Sequence, residues 1–87
     1  MFMFDREMDR TRLEIGARVR RLRKDMGLTQ CELAEALGHT SSSRVNQIEL
    51  GRVRLYADEL PRLCKKLKCS LSDVIGAESR SDENTET

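Results

Sequence analysis

Residues 28–51, LTQCELAEALGHTSSSRVNQIELG, constrain the fold more than any other stretch, because they hold two successive sets of helix start and stop signals. Thr29 and Glu32 stand at the spacing of a capping box, in which hydroxyl and carboxylate each satisfy a backbone N–H that a helix start leaves free. The spacing predicts a helix from about Gln30, with Leu33, Ala34 and Leu37 on one face and Gly38 leaving it at positive φ. Ser41, Ser42 and Ser43 each qualify to cap a second helix. In that helix Val45 and Ile48 lie one turn apart on the buried side, and Gly51 ends it.

Two short helices joined by a tight turn at a large angle make a helix-turn-helix, whose second helix can enter the major groove of DNA. At about 100° per residue, Ser42, Ser43, Asn46 and Gln47 cluster opposite the direction set by Val45 and Ile48. These four are the candidate base contacts. The two amides can pair bidentately with adenine, whereas serine hydroxyls read bases with little discrimination. Arg44 falls between the two faces, which makes it a candidate for phosphate rather than for a base edge.

Taken in order, Leu28-Thr29-Gln30, Leu33-Ala34, Leu37-Gly38, Ser42, Val45 and Ile48-Glu49 followed by Gly51 resemble the phage-repressor type of helix-turn-helix regulators often called Xre or Cro-like. The resemblance extends from about Ile15 to Ile75. It implies an all-α, compact five-helix, lambda-repressor-like DNA-binding domain in which helices 2 and 3 form the helix-turn-helix. Between Gly38 and Val45 the chain has one residue more than the commonest form of the family, placed most simply in the turn at His39-Thr40. If it shifts the helix start instead, the choice among the three serines moves by one.

The resemblance also implies an ion pair between Arg23 and Glu49, joining the first helix to the recognition helix and turning Arg23 toward the DNA backbone. It lays the loop Gly51-Arg52-Val53-Arg54-Leu55 along that backbone, although Leu55 stands where the family often has proline. Arg23, Gln30, Arg44, Arg52 and Arg54 are therefore the candidate phosphate contacts. Dimerisation through the last helix, with the N-terminal residues as a further contact, is the expected assembly.

The remainder of the chain fits this frame. Residues 9–76 hold fourteen Lys or Arg against nine Asp or Glu, while residues 77–87 hold one against four, so a basic body precedes an acidic tail. A basic body agrees with a phosphate-bearing partner. Only Phe2, Phe4 and Tyr56 are aromatic, which suits a small helical domain better than a β-sandwich. Cys31, Cys64 and Cys69 are odd in number and follow no signal peptide, pointing to a reducing cytoplasm. With one histidine and no CxxC pair they are read as small core residues (Cys64, Cys69) and a partly exposed helix residue (Cys31) rather than as zinc ligands. No apolar run approaches the roughly 18 residues of a membrane span.

Three segments result: a flexible leader over residues 1–8, the helix-turn-helix domain over 9–76 and a disordered tail over 77–87, which has no apolar residue beyond Ala77. Within the domain, Ile15, Val19, Leu22 and Met26 form the apolar stripe of a helix over about Asp9–Asp25. Leu60, Leu63, Cys64 and Leu67 form that of a helix over Ala57–Lys68, near whose start Pro61 adds at most a small kink. Ser70 and Asp73 open a short fifth helix, where Leu71, Val74 and Ile75 either finish the core or form an exposed patch.

The expected function is a dimeric, sequence-specific regulator of transcription on a palindromic operator, either repressing by covering a promoter or activating beside RNA polymerase. A restriction-modification controller is one form of it. An antitoxin that also binds DNA is the alternative, with MFMF at the front as the only apolar segment outside the fold. An enzyme is disfavoured: His39 has no evident carboxylate or nucleophile partner, and no glycine-rich phosphate loop or metal-ligand cluster appears. No cofactor is implied.

Overall fold

The computed structural model describes the backbone of residues 2–76 and the side chains of residues 9–76. In chain order the elements are α1 (Phe2–Asp25), α2 (Gln30–Ala36), α3 (Ser43–Glu49), a 3₁₀ turn (Ala57–Glu59), α4 (Leu60–Leu67) and α5 (Leu71–Ile75), with no strand among the described residues. The five helices, with α2 and α3 as the helix-turn-helix, are the expected fold class. The acidic tail and the packing expected of Phe2 or Phe4 lie outside the described residues.

Capping chemistry sets most of the boundaries. The Thr29 hydroxyl accepts from the Glu32 N–H at 3.0 Å and the Glu32 carboxylate from the Thr29 N–H at 2.8 Å, so α2 starts where the sequence places it. Ser70 and Asp73 repeat the device at α5, at 3.2 and 3.0 Å. Gly38 and Gly51 close α2 and α3 with φ of 88° and 76°.

Three expectations are corrected. α1 begins at Phe2 rather than about Asp9, so the helical backbone runs through the segment read as a flexible leader. That segment holds no proline or glycine to stop a helix. Met26 leaves the apolar stripe and is exposed, because it follows Asp25, the last residue of α1, where the helical period no longer governs direction. The single helix expected over Ala57–Lys68 is divided. Pro61 has no N–H to give the Ala57 carbonyl; the Leu60 N–H bonds it instead in 3₁₀ fashion, and the α-helix starts at Leu60.

α1 packs against α3 and α5, and α2 against α3 and α4. Their shared core is Val19, Leu33, Ala34, Leu37, Val45, Ile48, Leu63, Leu67 and Val74, with Cys64 and Cys69 half-buried at its edge. Burial pushes the Cys69 thiol up to about 11, reinforced by the neighbouring Cys64. On α5, Val74 enters the core while Leu71 and Ile75 remain 47% and 37% exposed, so the helix does both of the things its sequence allowed. Among the described residues no helix is long and apolar enough to cross a membrane.

One contact decides how α3 lies. A Cβ built on Gly16 of α1 would stand 2.3 Å from the Ile48 carbonyl oxygen and 2.7 Å from that of Glu49, so the two helices meet backbone to backbone. Only glycine fits there. Gly16→Ala, although it favours helix intrinsically, should destabilise the fold by about 2 kcal/mol through this overlap, read as a lowered urea midpoint. An unchanged midpoint would show that α3 can move away freely.

Candidate nucleic-acid interface

α3 turns Val45 and Ile48 inward and leaves Ser43, Asn46 and Gln47 on the side away from them. Ser42 occupies the cap position, yet its backbone is helical (φ −81°, ψ −2°) and its hydroxyl makes no cap bond. Ser41 Oγ accepts instead from the Ser43 N–H, at 3.4 Å. The hydroxyls of Ser42 and Ser43 are thus not engaged in capping.

Behind this face lies a buried ion pair. Arg23 Nε donates to Glu49 Oε2 at 2.6 Å, Nη2 to Oε1 at 3.1 Å, and Nη1 to the Leu28 carbonyl at 2.8 Å. Both residues are 8% exposed. The Glu49 carboxylate holds the Arg23 guanidinium above its ordinary pKa, chiefly through the hydrogen bond it accepts. Gln30 Nε2 completes the network, donating to Glu49 Oε1 at 3.0 Å and to Asn46 Oδ1 at 3.2 Å. One constellation therefore joins α1, the α1–α2 turn, α2 and α3.

This network engages several of the candidate contact residues. Arg23 is buried, with Nε and Nη2 on Glu49 and Nη1 on the Leu28 carbonyl. Both amide hydrogens of Gln30 are likewise engaged, and a phosphate contact by that side chain requires it to leave Glu49 or Asn46. Asn46 Oδ1 accepts from Gln30, which occupies one of its two lone pairs and orients its amide. Among the described residues Gln47 keeps both halves of its amide free.

Glu59 is a second buried carboxylate. Arg44 Nε and Nη2 donate to its two oxygens at 2.8 Å each, Nη2 also bonds the Arg54 carbonyl at 2.9 Å, and the guanidinium lies 4.4 Å from the Tyr56 ring centroid. His39 Nε2 is 3.2 Å from Glu59 Oε2, giving the only histidine the carboxylate partner that the sequence did not reveal, and the Tyr56 N–H donates to Oε1 at 2.8 Å. These donors, Arg44 first, hold the Glu59 carboxyl at about 2 despite burial. Arg44 is thus held in place by Glu59 through Nε and Nη2. The only sequence signal was an acid three residues after Tyr56 at a helix start.

After α3, Val53 and Leu55 are half-buried while Arg52 and Arg54 are exposed. The alternation is that of an extended segment, with apolar residues tucked beneath and arginines presented outward. Neither guanidinium has an ion-pair partner among the described residues.

A model described as a helix-turn-helix domain matches residues 14–74. The chain belongs to the helix-turn-helix domain family. It is a family of DNA-binding regulators rather than of enzymes. The competence pilus inhibition repressor of Acinetobacter baylyi is 39% identical over 62 residues, which are 71% of this chain and 56% of that protein. This helix-turn-helix chain thus spans about half the length of that relative. A crystal structure of the clp gene regulator ClgR from Corynebacterium glutamicum matches with a TM-score of 0.69 at 34% identity, covering 82% of this chain and 91% of that one. A second ClgR structure matches with the same TM-score at 28% identity, over 87% of each chain.

Two outcomes test the clamps of this helix-turn-helix. Arg23→Ala strands the buried Glu49 carboxylate and should destabilise the fold by about 3–5 kcal/mol, with Arg23→Lys restoring only part, since an ammonium cannot reproduce the fork. Equal urea midpoints for Lys and Arg would contradict the bidentate role. Glu59 has its folded pKa depressed from 4.5 to about 2. Its contribution is therefore complete above about pH 4.5 and lost as pH falls toward 2. The stability difference between the parent and Glu59→Gln should shrink over that window, by up to about 3 kcal/mol. A difference independent of pH would contradict the assignment.

Proposed function

We propose that this chain is a sequence-specific regulator of transcription that binds double-stranded DNA as a homodimer on a palindromic operator and acts as a repressor, its own promoter included. The observation that carries the reading is the outer face of α3, whose polar side chains Ser43, Asn46 and Gln47 lie beside the two exposed arginines that follow the helix. Such a face meets base edges in the major groove, while the arginines take phosphates on either side.

In this reading Gln47 is the principal bidentate base contact, with Ser42, Ser43 and the Asn46 amide nitrogen adding contacts of lower discrimination. Arg52 and Arg54 supply the salt-dependent, sequence-independent part of the affinity. Arg23 and Gln30 act chiefly through the position they give α3. Leu71 and Ile75, exposed on α5, are the apolar residues that a second copy would cover, setting two α3 helices about 34–36 Å apart. No reaction is required, because occupancy of the promoter excludes RNA polymerase. The name of the Acinetobacter baylyi relative favours repression over activation.

The test is a footprint on DNA from upstream of the gene, titrated with salt, for the parent, Gln47→Ala and Arg54→Ala. Two protected half-sites about one helical turn apart are expected. Gln47→Ala should lower the ratio of specific to non-specific affinity by about 10- to 100-fold, and Arg54→Ala should weaken both affinities and flatten the salt slope by about one per protomer. Protection without half-site symmetry would overturn the dimer, and equal effects of both variants on all sequences would overturn the division of roles.

A further inference from the structure

Beside the recognition helix is a hollow that base and phosphate reading does not fill. Ile15 from α1, Ile48 from α3, and Val53 and Leu55 from the following loop line a chamber of about 280 Å³, with Arg12 and Arg54 at its side. Arg12, Val53 and Arg54 also line a cleft of about 460 Å³ together with Arg44, Arg52 and Tyr56. The three shared residues make chamber and cleft adjoin.

The charges in this cleft are unevenly answered. Arg44 is engaged by Glu59, and Arg12 pairs with Asp9 through one nitrogen while its Nε is buried with no hydrogen-bond partner among the described residues. The guanidiniums of Arg52 and Arg54 have no ion-pair partner there. An apolar chamber that opens onto unanswered guanidiniums suits a ligand with an apolar tail and an anionic head. The tail would displace water from four aliphatic side chains, and the head would take charge-assisted hydrogen bonds. A DNA phosphate answers only the cleft, because a phosphodiester carries nothing apolar to enter the chamber.

We propose that the chamber and cleft together bind a small amphipathic anion, a carboxylate with a short alkyl or aryl tail, and that its binding competes with DNA for Arg54. The competition rests on the phosphate role proposed above for that residue; the binding site itself does not. A bound carboxylate would neutralise the arginine nearest the chamber and weaken operator affinity without any movement of α3.

The experiment titrates the ¹⁵N-labelled chain with hexanoate, acetate and hexanol, followed by amide shifts. Hexanoate should move the amides of Ile15, Ile48, Val53, Arg54 and Leu55 saturably, and bind about tenfold or more tighter than either acetate or hexanol. Val53→Glu, which brings a carboxylate to the chamber wall, should abolish that preference. The ligand series on the unaltered chain decides the matter even if the variant does not fold. Acetate equal to hexanoate would reduce the site to an anion cleft, hexanol equal to hexanoate would reduce it to an apolar hollow, and shifts elsewhere would relocate it; each overturns the proposal. In a second arm, saturating hexanoate should weaken operator binding while acetate at equal ionic strength does not. Unchanged operator affinity would overturn the competition alone, and a chain with no operator would still be judged by the first arm.

Discussion

A carboxylate buried between two helices, Glu49, fixes the element on which everything outward-facing depends. α3 is only seven residues long, well below the roughly 12–15 at which an isolated helix holds in water, so its conformation and direction come from its surroundings. Val45 and Ile48 anchor it to the core, Gly16 lets its backbone sink onto α1, and Arg23 and Gln30 grip its last turn through Glu49. Such a pair is a weak source of net stability, since two charges must leave water to form it. Its consequence is geometric: Glu49 cannot move without stranding a charge, so α3 has one register against α1.

Glu59 does for the other side of the helix what Glu49 does for this one. Through Arg44 it ties the start of α3 to the turn before α4, through His39 it reaches the helix-turn-helix turn, and Arg44 Nη2 in turn holds the Arg54 carbonyl of the loop that follows. Two carboxylates thus organise the side chains behind the interface, and the arginines they hold are not the ones left open. Polar residues divide accordingly. Arg23, Gln30 and Arg44 look inward, whereas Gln47, Arg52 and Arg54 look outward, and Asn46 is shared between the two groups. The division leaves only a few of a broad set of hydrogen-bonding side chains without an internal partner among the described residues.

How much of this the sequence shows depends on the range of the interaction. Both capping boxes are legible because a hydroxyl and a carboxylate three residues apart can meet in little else than a helix start. The inward sides of α2 and α3 follow from spacing alone. The pairing of Arg23 with Glu49, 26 residues apart, is legible only through resemblance to a family. The contact at Gly16 is silent, since a lone glycine inside an apolar-periodic helix reads as a mild defect until a second backbone is seen against it. Glu59 is silent for a similar reason: its partners arrive from three separate segments. Met26 misleads because the apolar period of the sequence runs one residue past the end of α1, and Pro61 because a missing N–H shifts a boundary rather than bending an axis.

α3 is held as part of the core rather than as a frayed appendage, and native-state hydrogen exchange measures this most directly. If the Glu49 and Glu59 clamps and the Gly16 contact act as described, the amides of Asn46 to Leu50 exchange only through global unfolding, with the same free energy and denaturant dependence as the central amides of α1. Exchange of those amides through a local opening several kcal/mol cheaper than global unfolding, with little denaturant dependence, would contradict it.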